Sequence, residues 1–151
     1  MQRLLLSFLF IFCTGVSQAQ CYSPSQARAE QLLRVHSELM VIGLNCTNNR
    51  LSNGMSAYEG YKDFTNRHAG LIGYHEDVLQ GYFASTGMSK PDRAVHDLRT
   101  AMANDVSKDA SRRPDGFCRA YLPRIQFARS LDGRQFEQWA TRYPISRPVC
   151  R

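Results

Sequence analysis

Ser56-Ala57-Tyr58-Glu59-Gly60-Tyr61-Lys62-Asp63-Phe64-Thr65-Asn66-Arg67-His68-Ala69-Gly70-Leu71-Ile72-Gly73-Tyr74-His75-Glu76-Asp77-Val78-Leu79-Gln80-Gly81-Tyr82 is the stretch that decides the fold. Its first four residues read Ser-x-x-Glu, a capping box that satisfies two backbone donors at a helix start. Ala57, Tyr61, Phe64, His68, Leu71, His75, Val78 and Tyr82 then recur at spacings of four and three. That is a heptad-like apolar seam, the signature of a helix packed against other helices. Gly60, Gly70, Gly73 and Gly81 each weaken a helix by about 1 kcal/mol relative to Ala, so a bend or break is expected near Gly70 to Gly73.

The same chemistry continues on both sides. Upstream, Ser23-Pro24-Ser25-Gln26 is a start signal, with a Ser cap, Pro in the first turn and Gln three residues after the Ser. Ala29, Leu32, Leu33, His36, Leu39, Met40 and Gly43 follow on one helical face, up to about Asn45. Cys46 to Gly54 is loop chemistry. Downstream, Ser89-Lys90-Pro91-Asp92 opens a helix with Ala94, Val95, Leu98, Met102 and Val106 on its apolar face. Ser111 to Gly116 breaks it. A further segment carries Phe117, Tyr121, Leu122, Ile125 and Phe127, with a kink expected at Pro123. Leu131-Asp132-Gly133 is a turn, and a short last segment holds Phe136, Trp139 and Ala140. Pro144 and Pro148 keep the tail extended. No alternating run calls for a sheet. The reading is an all-α, up-and-down bundle of four to five helices.

The first residues read differently. A basic start at Arg3, an apolar run from Leu4 to Cys13 and a Ser17-Gln18-Ala19 exit describe a secretory signal peptide over residues 1–19. The run is shorter than the roughly 20 apolar residues a spanning helix needs, so no transmembrane segment is expected. Residues 20–151 then form a single helical domain, secreted and, on this reading, periplasmic.

Four cysteines follow the leader: Cys21, Cys46, Cys118 and Cys150. An even count in a small exported domain points to two disulfides, and no pair has the close spacing of a zinc site. A continuous helix between Cys21 and Cys46 separates them by about 30 Å. A disulfide needs Cα atoms about 4.4–6.8 Å apart. Cys21–Cys46 is therefore excluded, and Cys118–Cys150 with it when both bridges form. Of the two remaining pairings, the up-and-down path favours Cys46–Cys118 and Cys21–Cys150, each closing a long loop.

The chain carries 19 basic and 13 acidic residues, a net charge of +6. The excess after the leader lies wholly in residues 101–151, and nine of its cations are arginines. Arg112, Arg113, Arg119, Arg124 and Arg129 are the expected anion-binding face. Its partner would be an anionic envelope component or another exported protein. The competing reading is a solvated helix surface in an Arg-rich chain. Nucleic acid is a poor fit, because the arginines are not interleaved with aromatics in a recognition motif.

Three histidines, His36, His68 and His75, fall on apolar seams. If the first two helical segments are antiparallel, His36 and His75 lie at levels only about 3 Å apart. Two level imidazoles in a bundle interior are a candidate metal or haem site, with His68 two turns away. The alternative is three core histidines, each hydrogen-bonded locally. No Glu-x-x-His, G-x-S-x-G, H-E-x-x-H or phosphate loop occurs. An enzyme using His68 or His75 as general base ranks last. The leading expectation is a non-enzymatic binding, inhibitory or envelope-associated module with no cofactor.

Overall fold

The computed structural model describes residues 21–150. The leader assigned to residues 1–19, with Gln20 and Arg151, lies outside the described residues. Six helices follow one another: α1 (Pro24–Asn45), α2 (Ala57–Arg67), α3 (Ala69–Ser85), α4 (Pro91–Arg112), α5 (Pro114–Ala128) and α6 (Gly133–Ala140). No strand forms among the described residues, which carry only isolated bridges. The fold is the all-α bundle that the periodicities describe.

Three helices begin with a complete capping box. Ser23 pairs with Gln26, Ser56 with Glu59 and Asp132 with Gln135. Each satisfies two of the backbone donors that a helix start leaves without partners. α4 and α5 begin instead with Pro at the first position, where the missing N–H costs nothing. α5 also runs through Pro123 without ending.

The break in the long seam comes at His68, earlier than its glycines suggest. His68 closes α2 and opens α3 with φ −106° and ψ 12°, outside the helical basin. α3 then runs straight through Gly70, Gly73 and Gly81. His75 and Tyr82 of the seam stay buried, but two positions move by one residue. Ile72 and Leu79 are buried, while Leu71 and Val78 are half-buried.

α1 sits at the centre. It contacts each of the other five helices. Its buried residues therefore lie all around it, from Leu32, Leu33, Leu39 and Ile42 to the polar Glu30, Ser37 and Glu38. Two glycines permit the closest helix crossings. A Cβ on Gly43 would lie 2.9 Å from Tyr61 Cβ, and one on Gly60 would lie 2.5 Å from Leu51 Cδ1 and 2.9 Å from Ile125 Cγ2.

Two disulfides close the bundle. Cys46–Cys118 ties the end of α1 to α5, with Cα atoms 5.6 Å apart. Cys21–Cys150 ties the two ends of the domain, with Cα atoms 5.1 Å apart. Helix length left two pairings open, and these are the bridges of the one that the up-and-down path favours. Beside the second, Tyr22 donates its N–H to Pro148 O and accepts from Cys150 N–H, both at 2.8 Å.

Candidate functional site

The histidines occupy the interior. His36, on α1, is buried among α2 and α4. Arg99 Nη2 lies 3.0 Å from its Nδ1. A guanidinium only donates, so Nδ1 accepts and the ring carries its proton on Nε2. Nε2 then faces Thr65 Oγ1 at 3.2 Å and the Tyr61 hydroxyl at 3.3 Å. Arg99 in turn pairs with Glu76. Burial and then the Arg99 charge push the His36 imidazole down to about 4, so it is neutral at pH 7.

His68 and His75 face α6. The His68 ring packs against Phe64 at 4.7 Å and Phe136 at 5.3 Å. Burial, then the nearby Arg67, lowers its affinity for a proton, against a backbone hydrogen bond with Leu131 that acts the other way. His75 Nε2 lies 3.0 Å from Glu137 Oε1. Its Nδ1 is buried and has no hydrogen-bond partner among the described residues. Histidine paired with carboxylate is the arrangement of a general base. Here the second ring nitrogen is buried. The two level imidazoles of the sequence reading thus hold separate sets of partners. Among the described residues no group of three or more His, Cys, Asp or Glu is gathered to hold a metal ion.

The arginines divide into spent and open. Arg113 pairs with Asp109 at 2.7 Å, Arg129 with Asp63 at 2.9 Å, and Arg124 with the buried Glu38. Arg112 and Arg119 make no ion pair among the described residues. The five expected anion-binding arginines therefore do not form one open face.

An unpaired arginine does stand beside a cleft of about 550 Å³ between α5, α6 and the tail. Phe127 and Arg124 line it from α5, Trp139 from α6, and Arg142 and Tyr143 from the tail, with Pro123 and Pro144 at its margins. The aromatic rings stand nearly perpendicular to one another. Phe127 and Trp139 are 5.3 Å apart at 84°, and Trp139 and Tyr143 are 5.9 Å apart at 89°. Phe127 is 48% exposed. The Arg142 guanidinium and the Trp139 indole N–H have no hydrogen-bond partner among the described residues.

α1 holds this cleft from behind. Gln31 Nε2 donates to Tyr143 O at 2.7 Å and to Thr141 O at 3.2 Å. Glu38 accepts from Arg124 and, at 3.1 Å, from the Tyr143 hydroxyl. Burial, then the Glu38 charge, holds the Tyr143 phenol above its ordinary value, so it stays protonated and donating. Further along the tail, the fully buried Glu30 accepts from Ser146 N at 2.8 Å, Ser146 Oγ at 2.7 Å and Arg34 Nη2 at 2.7 Å. A buried carboxylate is tolerated only when it is hydrogen-bonded this fully.

Glu30, Glu38 and Arg99 were not singled out by the sequence. Nothing in their local spacing marks them, because their partners come from remote segments. Trp139 carried one signal: it is the only tryptophan in the chain, and it lies between Pro123 and Pro144 in the basic region. Searches against protein-family models, curated proteins and solved structures find no match to this chain.

Proposed function

We propose that this protein is an exported binding module that takes an anionic partner at the cleft between α5, α6 and the tail. The observation that carries the reading is the pairing of partly exposed Trp139 and Phe127 with the unpaired Arg142 guanidinium. Concave, largely apolar sites with a few directed polar groups are where ligands bind. A guanidinium with no internal carboxylate selects an anion. Inhibition and envelope maintenance are roles that such a module performs through the partner it holds.

Export is part of the proposal. It rests on the leader-like residues 1–19 and on two disulfides joining distant parts of the chain, which persist in oxidising compartments. The periplasm is the compartment proposed. No described helix is long and apolar enough to cross a membrane.

The test uses the single tryptophan as reporter. Trp139 emission is titrated with oligoglutamate, with an oligogalacturonate and with phosphatidylglycerol vesicles. At least one should give a saturable change that weakens as salt screens the charge and is lost in Arg142→Glu. If none of the three saturates, or if Arg142→Glu binds as the unchanged protein does, the reading fails.

A further inference from the structure

The walls of the cleft are poor in open polar groups. Phe127, Trp139 and Tyr143 touch edge to face, with centroids 5.3 and 5.9 Å apart, and so form one apolar wall with no gap between the rings. Pro123 and Pro144 at the margins carry no backbone N–H. The backbone of the tail wall is spent internally. Arg142 N–H donates to Trp139 O at 3.2 Å and Tyr143 N–H to Ala140 O at 3.0 Å, while Thr141 O and Tyr143 O accept from Gln31. The Tyr143 hydroxyl is engaged by Glu38 and Arg124. No amide or carboxylate side chain lines the cleft.

What remains is one charge on an apolar lining. Arg124 is held by Glu38, and Arg142 has no ion-pair partner among the described residues. A sugar or a peptide would bring hydroxyls or amides against walls that leave them unpaired, at a cost for each group. An amphiphile with one acidic head and an acyl chain leaves none unpaired. Its head meets Arg142 in a charge-assisted hydrogen bond, and its chain covers the ring wall, gaining affinity with each methylene taken out of water. A flexible chain needs neither a slot nor aligned rings. The cleft's volume of about 550 Å³ lies within the range of about 300–1,000 Å³ typical of small-ligand sites.

We infer that the cleft takes an anionic amphiphile of the fatty-acid type, with Arg142 pairing with the acidic head and the Phe127–Trp139–Tyr143 wall covering the chain. The inference rests on the anion-binding reading above and names the ligand class of that same cleft.

Trp139 emission tests it on the full domain with both disulfides formed. The probes are dodecanoate, octanoate and butanoate, kept below micelle formation, and dodecyltrimethylammonium, which carries the same chain on a cation. Dodecanoate should saturate, and octanoate should bind at least about tenfold more weakly because it lacks four methylenes. Butanoate and dodecyltrimethylammonium should give no saturable change over the same range. A bromine on the last carbon of dodecanoate should deepen the quenching, since the chain end then lies against the wall that holds Trp139. Arg142→Ala should weaken dodecanoate about tenfold, as for one charge-assisted hydrogen bond. Phe127→Ala, at a half-exposed ring, should weaken it about fivefold and narrow its advantage over octanoate. Among the three earlier probes, the phosphatidylglycerol vesicles share this chemistry and should saturate as well. Equal binding of dodecanoate and butanoate overturns the inference and leaves the anion reading standing. So does saturation by the vesicles, oligoglutamate or oligogalacturonate without dodecanoate. Dodecyltrimethylammonium binding as tightly as dodecanoate overturns the inference, because the guanidinium then selects nothing. Failure of every anionic probe overturns both readings.

Discussion

His36 has both ring nitrogens engaged, one by Arg99 and the other by Thr65 and Tyr61. Arg142, an exposed residue on the tail, has no ion-pair or hydrogen-bond partner for its guanidinium among the described residues. The histidine seam and the tail cleft thus treat polar groups in opposite ways. In the seam, polar atoms are turned inward: His36 is matched across helices, His68 Nε2 and His75 Nδ1 are buried without a partner among the described residues, and burial lowers the proton affinity of His36 and His68. At the cleft, the matched atoms (Glu38, Gln31 and the Tyr143 hydroxyl) lie behind the surface and leave a guanidinium and an indole N–H facing out. A conspicuous residue type does not by itself mark a working site. What distinguishes the two regions is whether unspent donors and acceptors are buried, as in the seam, or reach the surface, as at the cleft.

That contrast predicts where damage goes. Changes in the seam should cost stability, and changes at the cleft should cost binding. The largest effect is expected for Phe136→Ala, since its fully buried ring packs against Phe64 and His68. Removing it should cost about 3–5 kcal/mol, read as a lower urea midpoint at unchanged slope.

Acid comes next. His36 takes a proton more readily unfolded, near 6.5, than folded, near 4. Its contribution is therefore complete above pH 6.5 and is lost as pH falls from 6.5 to 4. The loss amounts to about 3 kcal/mol once the pH has fallen to about 4, and His68 acts in the same direction. Urea titrations across that range should show the loss, and His36→Gln should flatten it. An unchanged profile in that variant would mean the ring is not closed off.

Two glycines sharpen the contrast further. Gly60→Ala should destabilise by about 1–3 kcal/mol, because the added methyl meets Leu51 and Ile125. Gly81→Ala, on the exposed side of α3 with open space around it, should stabilise by up to about 1 kcal/mol. Thermal melts of the pair read both signs. The smallest stability effect is expected for Arg142→Ala, within about 0.5 kcal/mol, although it should carry the largest loss of binding.

Much of the architecture was legible because it is local. Ser23 and Ser56 announce their helices through side chains three residues away, and the length of α1 excludes the Cys21–Cys46 bridge without further information. Asp132 and Gln135 form the same kind of cap, yet the stretch reads first as a turn, because Gly133 follows the Asp. The break at His68 has no glycine or proline at it, so composition alone places it a few residues late. The site was less legible for a physical reason. Glu38 is completed by Tyr143, 105 residues away, and Glu30 by Ser146, 116 residues away. Their polarity breaks the apolar face of α1 and reads as solvent-facing until the tail is laid against that helix. The histidines stood out because they lie on apolar seams, but an apolar seam is also where a core histidine belongs.

Chemical-shift mapping of the labelled protein during addition of whichever anionic probe saturates the Trp139 emission tests the division most directly, because it reports both regions in one titration. The account predicts that saturable shifts concentrate on residues 123–127 and 139–144, including the Trp139 indole and Arg142 side-chain signals. The imidazole signals of His36, His68 and His75 should stay in place. Shifts that begin at those imidazoles and leave the Trp139 indole unmoved would contradict it.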